Sequence, residues 1–339
     1  MAETPRVAIV GGESLLGREL RDLLSHSILG SNLKLVGSEE EASVAILSEQ
    51  AGEPVVITGV DEETLASSAV VFFAGTRLST EKALSWLGKQ RPLLIDLTHT
   101  LDEMPGARLR APWSEPPAYL PPSAPVAAIA HPAAIVLSIF LRRLHARFPI
   151  KRSVTHVFEP ASERGRGGIN ELHQQTLDLL SFRAPEKKIF DAQLSFNLLA
   201  RYGAEAPVPL EPVELRIEKH LASLLALAEA VPMPSLRLIQ APVMHGHSIS
   251  VWAELVEKAS ADAVSDALKG SEIDVYPPDA DPPDVVGFAG QSGMAVGAIE
   301  ADRNNSRAAW FWIVADNYRV AAENAIAVAR GHLIKEAGK

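Results

Sequence analysis

Two histidines one residue apart, His245 and His247, are the side chains whose chemistry is easiest to name. An imidazole changes charge near neutral pH, so either ring would serve as an acid or a base. On a strand the two side chains would project to the same face and would bind a metal ion if a third ligand stood nearby. The sequence offers no convincing third ligand, so we predict no metal site. We prefer the interpretation that these histidines support the fold.

A glycine-rich turn follows the apolar run Val7–Val10 and leads into a helical pattern of leucines. Turns of this kind place the backbone amides of a helix start where they would receive the pyrophosphate of a dinucleotide. The residues that we assign to such a site are Gly11, Gly12, Glu13, Ser14, Leu15 and Leu16. A tight turn that binds no ligand is an equally good interpretation.

The composition excludes several classes of function. Cysteine is absent from the 339 residues, which rules out disulfides, thiolate metal ligands and thiol nucleophiles within them. The net charge of -10 disfavours nucleic acid and anionic membranes as partners. No run of 18 apolar residues occurs, and no basic region followed by an apolar one begins the sequence, so we expect a cytoplasmic protein.

The elements that must position these residues alternate in the first part of the chain. Apolar runs at Leu33–Val36, 69–73 and Leu93–Asp96 indicate strands, and residues 80–87 are compatible with a helix. Such alternation predicts an α/β fold with a Rossmann-like, doubly wound parallel sheet. Six prolines at 111–125 indicate an extended connection that ends this first part.

The pattern changes to α+β in the middle of the chain. Helices are predicted at 133–148, 168–180, 213–230 and 260–268, and strands at 153–158, 236–243 and 249–255. A strand at 309–314 and a helix at 320–335 follow. Because one core stops growing at roughly 250–300 residues, we predict two domains. They are 1–132 completed by the helix of 317–339, and 133–316.

Several motifs occur in an order that resembles the aspartate-semialdehyde dehydrogenase family, from Val7 to about Leu333. They are the glycine turn, the glycine-rich loop at 161–172, the segment 242–248 with His247, and the strand and turn from Trp310 to Asn317. The resemblance implies a dinucleotide-binding domain and a second domain that supplies substrate contacts and a dimer interface. It also implies NADPH-dependent reduction of aspartyl phosphate in amino-acid biosynthesis, through a thioester on a cysteine.

The family's cysteine lies in a turn at a helix start, and that turn reads His131-Pro132-Ala133-Ala134 here. Ala134 therefore occupies the cysteine position, and its methyl group forms no acyl intermediate. Ser138 is the nearest hydroxyl, and we interpret it as a helix hydroxyl that bonds the backbone. We interpret His131 as structural.

Other substrate positions of the family also differ here. Glu159 replaces a glutamine that orients the intermediate, and Gln240 replaces an arginine that clamps the substrate carboxylate. Asp102, and by a weaker alignment Glu214, replace cations that bind phosphate. Only His247 is retained, at the acid/base position. Because anions repel phosphate, we predict that the aspartyl phosphate site is lost.

The resemblance also bears on the cofactor. Gly75 and Asn317 match positions that line the nicotinamide, and Ser14 replaces a glycine, so its Cβ would crowd the dinucleotide while its hydroxyl would bond a phosphate. Glu39, Glu40 and Glu41 follow the second strand, where the family grips the 2′-phosphate of NADP. Carboxylates there would repel that phosphate and bond a ribose hydroxyl instead, so we expect NAD rather than NADP if either binds. A solvated loop is the alternative.

Three functions follow from these observations. We prefer a homologue without the family's phosphorylating activity: a pseudoenzyme or dimeric binding scaffold, paired with itself or with a paralogue. The alternative is an oxidoreductase that acts on a free aldehyde or oxo group with NAD(P), with His247 as the acid and no cysteine. The third is a protein that only binds other proteins.

Overall fold

The computed structural model describes residues 5–37, 46–50, 53–57, 62–87, 92–117, 119, 121, 124–227 and 231–337. The chain divides into two compact units. The first comprises Met1–Ala130 and Ala321–Lys339, and the second comprises His131–Val320. Among the described residues, no helix has the length and apolar character needed to cross a membrane.

The first unit is built on a parallel six-stranded sheet. Its elements are β1 (Val7–Val10), α1 (Leu15–Ser25), a 3₁₀ turn (Ile28–Asn32), β2 (Leu33–Val36), β3 (Ile46–Gln50), β4 (Glu53–Ile57), α2 (Glu62–Ala66), β5 (Val70–Phe73), α3 (Arg77–Trp86), β6 (Leu93–Asp96), β7 (Ala107–Arg110) and β8 (Val126–Ile129). The strand order is β2-β1-β5-β6-β8-β7, and every neighbouring pair is parallel. β3 and β4 form a separate antiparallel pair. The predicted Rossmann-like fold is confirmed.

The central strands are buried along their whole length. All residues of β1, β5, β6 and β8 are buried. Burial without alternation is what a parallel sheet that is covered on both faces requires, and it explains why these strands are continuous apolar runs.

The glycines of the first turn are needed for backbone packing. Gly11 has a φ of +83°, and a Cβ there would lie 2.2 Å from the Cα of Gly75. A Cβ on Gly17 would lie 2.1 Å from the carbonyl oxygen of Gly11. Contacts within the first unit thus account for these glycines without any ligand.

The second unit is an α+β structure around a mixed sheet. Its elements are α4 (Pro132–Arg147), β9 (Ile150–Glu159), a 3₁₀ turn (Ala161–Arg164), α5 (Gly165–Leu180), α6 (Leu210–Leu225), β10 (Ser235–Gln240), β11 (His247–Leu255), α7 (Ala261–Leu268), β12 (Ile273–Val275), β13 (Met294–Ala301) and β14 (Ala308–Ala315). The sheet order is β10-β9-β11-β14-β13-β12. The last helix, α8 (Asn317–Ala337), begins in this unit and continues into the first.

One face of this sheet carries a row of large apolar side chains. Trp252 pairs with Val154 on one side and with Trp310 on the other, so the three side chains lie on one face. Val154 and Trp310 are 36% and 41% exposed. Both indole N–H groups donate to Asp302, at 2.8 and 3.1 Å. We call Val154, Trp252 and Trp310 the outer row.

Candidate functional site

Polar side chains gather in the second unit at one edge of its sheet. β9 and β10 are parallel and β11 is antiparallel to β9, so the ends of the first two strands and the start of the third meet there. The 3₁₀ turn after β9 and the start of α8 complete the group. We call it the buried cluster: His131, Glu159, Ser162, Glu163, Arg164, Tyr202, Gln240, His245, His247, Asp316 and Asn317.

The first turn of α4 holds Ala134, the residue that the sequence resemblance assigned to the nucleophile position. Ala134 is fully buried, so its methyl group offers no reactive atom. His131 caps the helix because its Nδ1 accepts the amide of Ala133 at 3.2 Å. Ser138 donates its hydroxyl to the carbonyl of Ile135 at 2.8 Å. Both side chains are thus engaged with backbone.

Glu159 forms a buried ion pair. Its Oε1 lies 2.8 Å from Nη2 of Arg164, and the side chains are 0% and 9% exposed. Burial raises the pKa of Glu159, and the guanidinium of Arg164 opposes that rise. Burial alone would lower the pKa of Arg164, but Glu159, Tyr202 and Glu163 together outweigh burial and raise it. The carboxylate expected to repel an anionic substrate is therefore held by a cation that the sequence analysis did not identify.

Gln240 has no polar group left for a substrate. The hydroxyl of Tyr202 donates to its Oε1 at 2.5 Å. Its Nε2 donates to the carbonyls of Glu159 at 2.8 Å and Ala241 at 3.1 Å. The ring of Tyr202 also lies 5.3 Å from the guanidinium carbon of Arg164. Gln240, which the sequence resemblance assigned to a carboxylate-binding position, therefore joins β9 to β10.

His247 is fully buried at the start of β11. Its Nε2 lies 3.8 Å from Oε1 of Glu163, and Nε2 of His131 lies 3.7 Å from the other oxygen. Neither ring nitrogen of His247 makes a hydrogen bond within the described part of the chain. Burial lowers the pKa of His247 to about 4, so the ring is neutral at pH 7. At pH 7 the ring therefore carries no acidic proton beyond its N–H, and its low pKa also makes it a weak base.

Asn317, assigned above to the nicotinamide site, is engaged inside the cluster. Its Nδ2 donates to Oε1 of Glu163 at 2.7 Å and to the hydroxyl of Ser162 at 3.2 Å. Its Oδ1 accepts the amide of Gly246 at 3.1 Å. The side chain is fully buried. It therefore joins the start of α8 to the 3₁₀ turn and to the turn before β11.

The expectation that His245 and His247 share a strand face is wrong. β11 begins at His247, and Gly246 has a φ of +86°, so the strand alternation does not extend to His245. His245 contacts Asp316 and Ser162 instead of Glu163. The two rings have separate partners because the left-handed glycine reverses the chain between them.

In the glycine turn between β1 and α1, the groups available to bind an anion are backbone amides. Ser14 caps α1, since its hydroxyl accepts the amide of Gly17 at 2.8 Å and donates to the carbonyl of Ala74 at 2.6 Å. Its hydroxyl proton is thus already used. The amides of Leu15 and Leu16 are the donors that the first helical turn leaves for a phosphate.

The other residues assigned to the cofactor have local roles in the first unit. Glu13 is buried and lies 2.9 Å from Arg18 and 3.6 Å from Arg21. Gly12 lies over Leu35 of β2, and Gly75 packs on Gly11. Glu39, Glu40 and Glu41 lie outside the described residues, so the predicted preference for NAD stays a prediction.

The two acids that replace phosphate-binding cations each have a neighbour in their own unit. Asp102 lies 3.8 Å from Nδ1 of His99. Glu214 accepts the amide of Leu238 at 2.6 Å and lies 3.7 Å from Arg237. Neither position carries a cationic side chain, in agreement with the sequence.

The parallel sheet of the first unit is Rossmann-like, and the second unit is built on a mixed sheet; together they give the two-unit fold of semialdehyde dehydrogenases. Residues 141–320 match the family model described as semialdehyde dehydrogenase, dimerisation domain. The chain belongs to the aspartate-semialdehyde dehydrogenase family.

Relatives and solved structures agree with that assignment. The chain is 40% identical over 170 residues to the USG-1 protein homolog of Pseudomonas aeruginosa, a match that spans about half of each protein, 49%. It is 28% identical to the USG-1 protein homolog of Azotobacter vinelandii over 95% of this chain and 96% of that one. The structure of a probable aspartate-semialdehyde dehydrogenase from Pseudomonas aeruginosa matches with a TM-score of 0.82 at 29% identity, over 97% and 98% of the two chains.

Removal of one partner of the buried ion pair between Glu159 and Arg164 should destabilise the protein. Arg164→Met leaves the buried carboxylate of Glu159 without its cation, and we expect the free energy of unfolding to fall by about 3–5 kcal/mol. Adding Glu159→Gln removes the orphaned charge, so the double variant should regain most of the loss. Urea unfolding of the wild type, both single variants and the double variant gives the coupling. Additive losses would show that the pair is not coupled.

The buried imidazole should make the protein less stable at acid pH. Burial lowers the pKa of His247 from 6.5 to about 4, so between these pH values the unfolded chain binds a proton that the folded chain does not bind. The contribution of neutral His247 to the free energy of unfolding is complete above about pH 6.5 and is lost as the pH falls towards 4. About 2 kcal/mol of it is lost between pH 7 and pH 5.

Chemical denaturation at both pH values measures this loss. His247→Gln should reduce the difference between pH 7 and pH 5 by that amount, and the exposed His173→Gln is the matched control. An unchanged pH dependence in His247→Gln would contradict the assignment.

Proposed function

We propose that this chain does not catalyse the family's phosphorylating reaction and acts as a homodimeric scaffold. The observation that carries the proposal is Ala134 at the nucleophile position, buried at the start of α4. Acyl transfer from a phosphate needs an atom that forms a covalent bond to the acyl group. A methyl group forms none.

The surrounding charges support the same conclusion. Arg164 is paired with Glu159, and the amide of Gln240 is bonded to Tyr202 and to backbone carbonyls. A substrate carboxylate would have to break these contacts before it gained its own. Arg164 and Gln240 are thus engaged by neighbours inside the site, whereas groups that bind a ligand are kept available for it.

A second copy of this chain is the partner that we propose for the outer row. The row lies within the part of the chain that matches the dimerisation domain. Val154 and Trp310 are exposed aromatic and branched side chains on a sheet face, a composition typical of the buried centre of an interface. A heteromer with a paralogue would use the same face.

Nucleotide binding in this proposal is weak and confined to the first unit's turn. The residues that would hold the pyrophosphate are Leu15 and Leu16, through their amides, next to Gly12. When bound, NAD or NADP would supply hydride chemistry. NAD is preferred because Glu39, Glu40 and Glu41 would repel a 2′-phosphate.

The second candidate is an oxidoreductase that reduces a free carbonyl without a cysteine. It is favoured by the retained His247 and the glycine turn. It is disfavoured by the low pKa of His247, since a ring that is neutral at pH 7 is a poor acid for the forming alkoxide. Calorimetric titration with NAD, NADP and their reduced forms separates the candidates, because absence of binding at millimolar concentration removes the oxidoreductase.

The purified protein should not convert aspartate semialdehyde with phosphate. We expect no reduction of NAD or NADP above the rate without protein, followed by absorbance at 340 nm. Ala134→Cys alone should not restore turnover, because Gln240 and Glu159 still replace the substrate contacts. The proposal would be overturned if purified wild-type protein, free of host enzyme, catalysed the reaction and if Glu159→Gln or His247→Gln abolished that activity.

A charge on the outer row should separate the dimer. Val154→Asp and Trp310→Asp each bury a carboxylate in the proposed interface, at a cost of several kcal/mol, so we expect monomers at micromolar concentration. Light scattering after size exclusion measures the mass. Leu78→Asp changes an apolar residue of the first unit that is more exposed, at 64%, and should leave the dimer intact. Dimers that persist in both outer-row variants would contradict this interface.

A further inference from the structure

We propose that Ser162, His245 and Asp316 form a serine nucleophile with its base and orienting acid, able to cleave small carboxylic esters. The Oγ of Ser162 lies 3.1 Å from Nδ1 of His245, and the Nε2 of His245 lies 3.0 Å from Oδ1 of Asp316. This is the hydroxyl, imidazole and carboxylate sequence that activates serine in acyl transfer. It needs neither a cysteine nor a nucleotide and so goes beyond the proposed function.

The carboxylate of Asp316 is fixed in place and ionised. Its Oδ2 accepts the amide of Gly290 at 2.7 Å, and its Oδ1 accepts the amide of Arg319 at 3.0 Å. Burial would raise the pKa of Asp316, but the bond from His245 and the two amides outweigh it and lower the pKa to about 2. The aspartate is therefore an anion that can orient a ring and stabilise an imidazolium.

That anion selects the tautomer of His245. Because the carboxylate accepts from Nε2, the neutral ring carries its proton there and turns the lone pair of Nδ1 towards Ser162. The ring packs against Tyr318, with centroids 5.0 Å apart, and its side chain is 28% exposed. His245 can thus take the serine proton and reach solvent.

Ser162 is held rigidly in front of this base. Its amide donates to the carbonyl of Met244 at 3.0 Å, and its carbonyl accepts the hydroxyl of Tyr318. Nδ2 of Asn317 lies 3.2 Å from its Oγ and can stabilise negative charge there. Oδ1 of Asn317, at 3.4 Å, is a more distant acceptor for the same hydroxyl. Since Ser162 is 1% exposed, the acyl group must be small.

The reaction balances without an oxidant or a metal. The serine oxygen bonds to the ester carbonyl carbon while its proton moves to Nδ1 of His245. The carbon–oxygen bond to the alcohol then breaks, and the alcohol leaves with that proton. Water attacks the acyl-serine, its proton passes through His245 back to Ser162, and the carboxylic acid is released.

The test uses two probes on the full chain: 4-nitrophenyl acetate and a small fluorophosphonate. We expect hydrolysis of the ester to fall by about 10²–10⁴-fold in Ser162→Ala and His245→Gln, and to persist in the exposed His173→Gln. The fluorophosphonate should add once to the wild-type protein, at Ser162 by peptide mass spectrometry. His245→Gln should lose this adduct.

Fluorophosphonate labelling of the wild-type protein does not depend on whether a variant folds. If the hydrogen bonds among Ser162, His245 and Asp316 only stabilise the fold, Ser162 of the folded wild-type protein will stay unlabelled. That result would overturn the proposal. Ester hydrolysis that Ser162→Ala leaves unchanged would also overturn it. Neither assay contains nucleotide, phosphate or aspartate semialdehyde, so their outcomes are separate from those of the dehydrogenase assay.

Discussion

A carboxylate that is withdrawn from water must be paired, and the ion pair of Glu159 with Arg164 is the constraint on which the buried cluster depends. Arg164 lies under the ring of Tyr202, and the hydroxyl of Tyr202 fixes Gln240. Gln240 in turn bonds the carbonyl of Glu159 and ties two parallel strands together. One acidic residue at a strand end thereby sets the orientation of three other side chains.

The cluster has two halves that differ in their access to solvent. Around His247 the burial is complete, and the charges of Glu159 and Glu163 are met by groups of the chain itself. The side chain of His245 is partly exposed, and its ring contacts the buried side chains of Ser162 and Asp316. Of the two rings, His245 is therefore the one that water reaches, while His247 is closed to it.

The sequence predicted the elements whose signals are local. Continuous apolar runs identified strands such as Val7–Val10, but β7 was missed because two of its four residues are arginines, and β13 because Gly297 interrupts its pattern. The partner of Glu159 depends on how the 3₁₀ turn folds back after the strand, which no spacing rule gives. Ser162 and His245 are 83 positions apart in the sequence, so only the sheet register brings them together.

The helix α8 has a consequence for the order in which this protein is made. Residues of its later turns, among them Ala322, Ala325 and Val328, are buried, and the helix belongs to the first unit from Ala321 onward. A ribosome that has finished the second unit has therefore not yet supplied the last segment of the first. At that stage all strands of the amino-terminal sheet have been made, but a helix of the same unit has not, whereas the second unit already has all its residues.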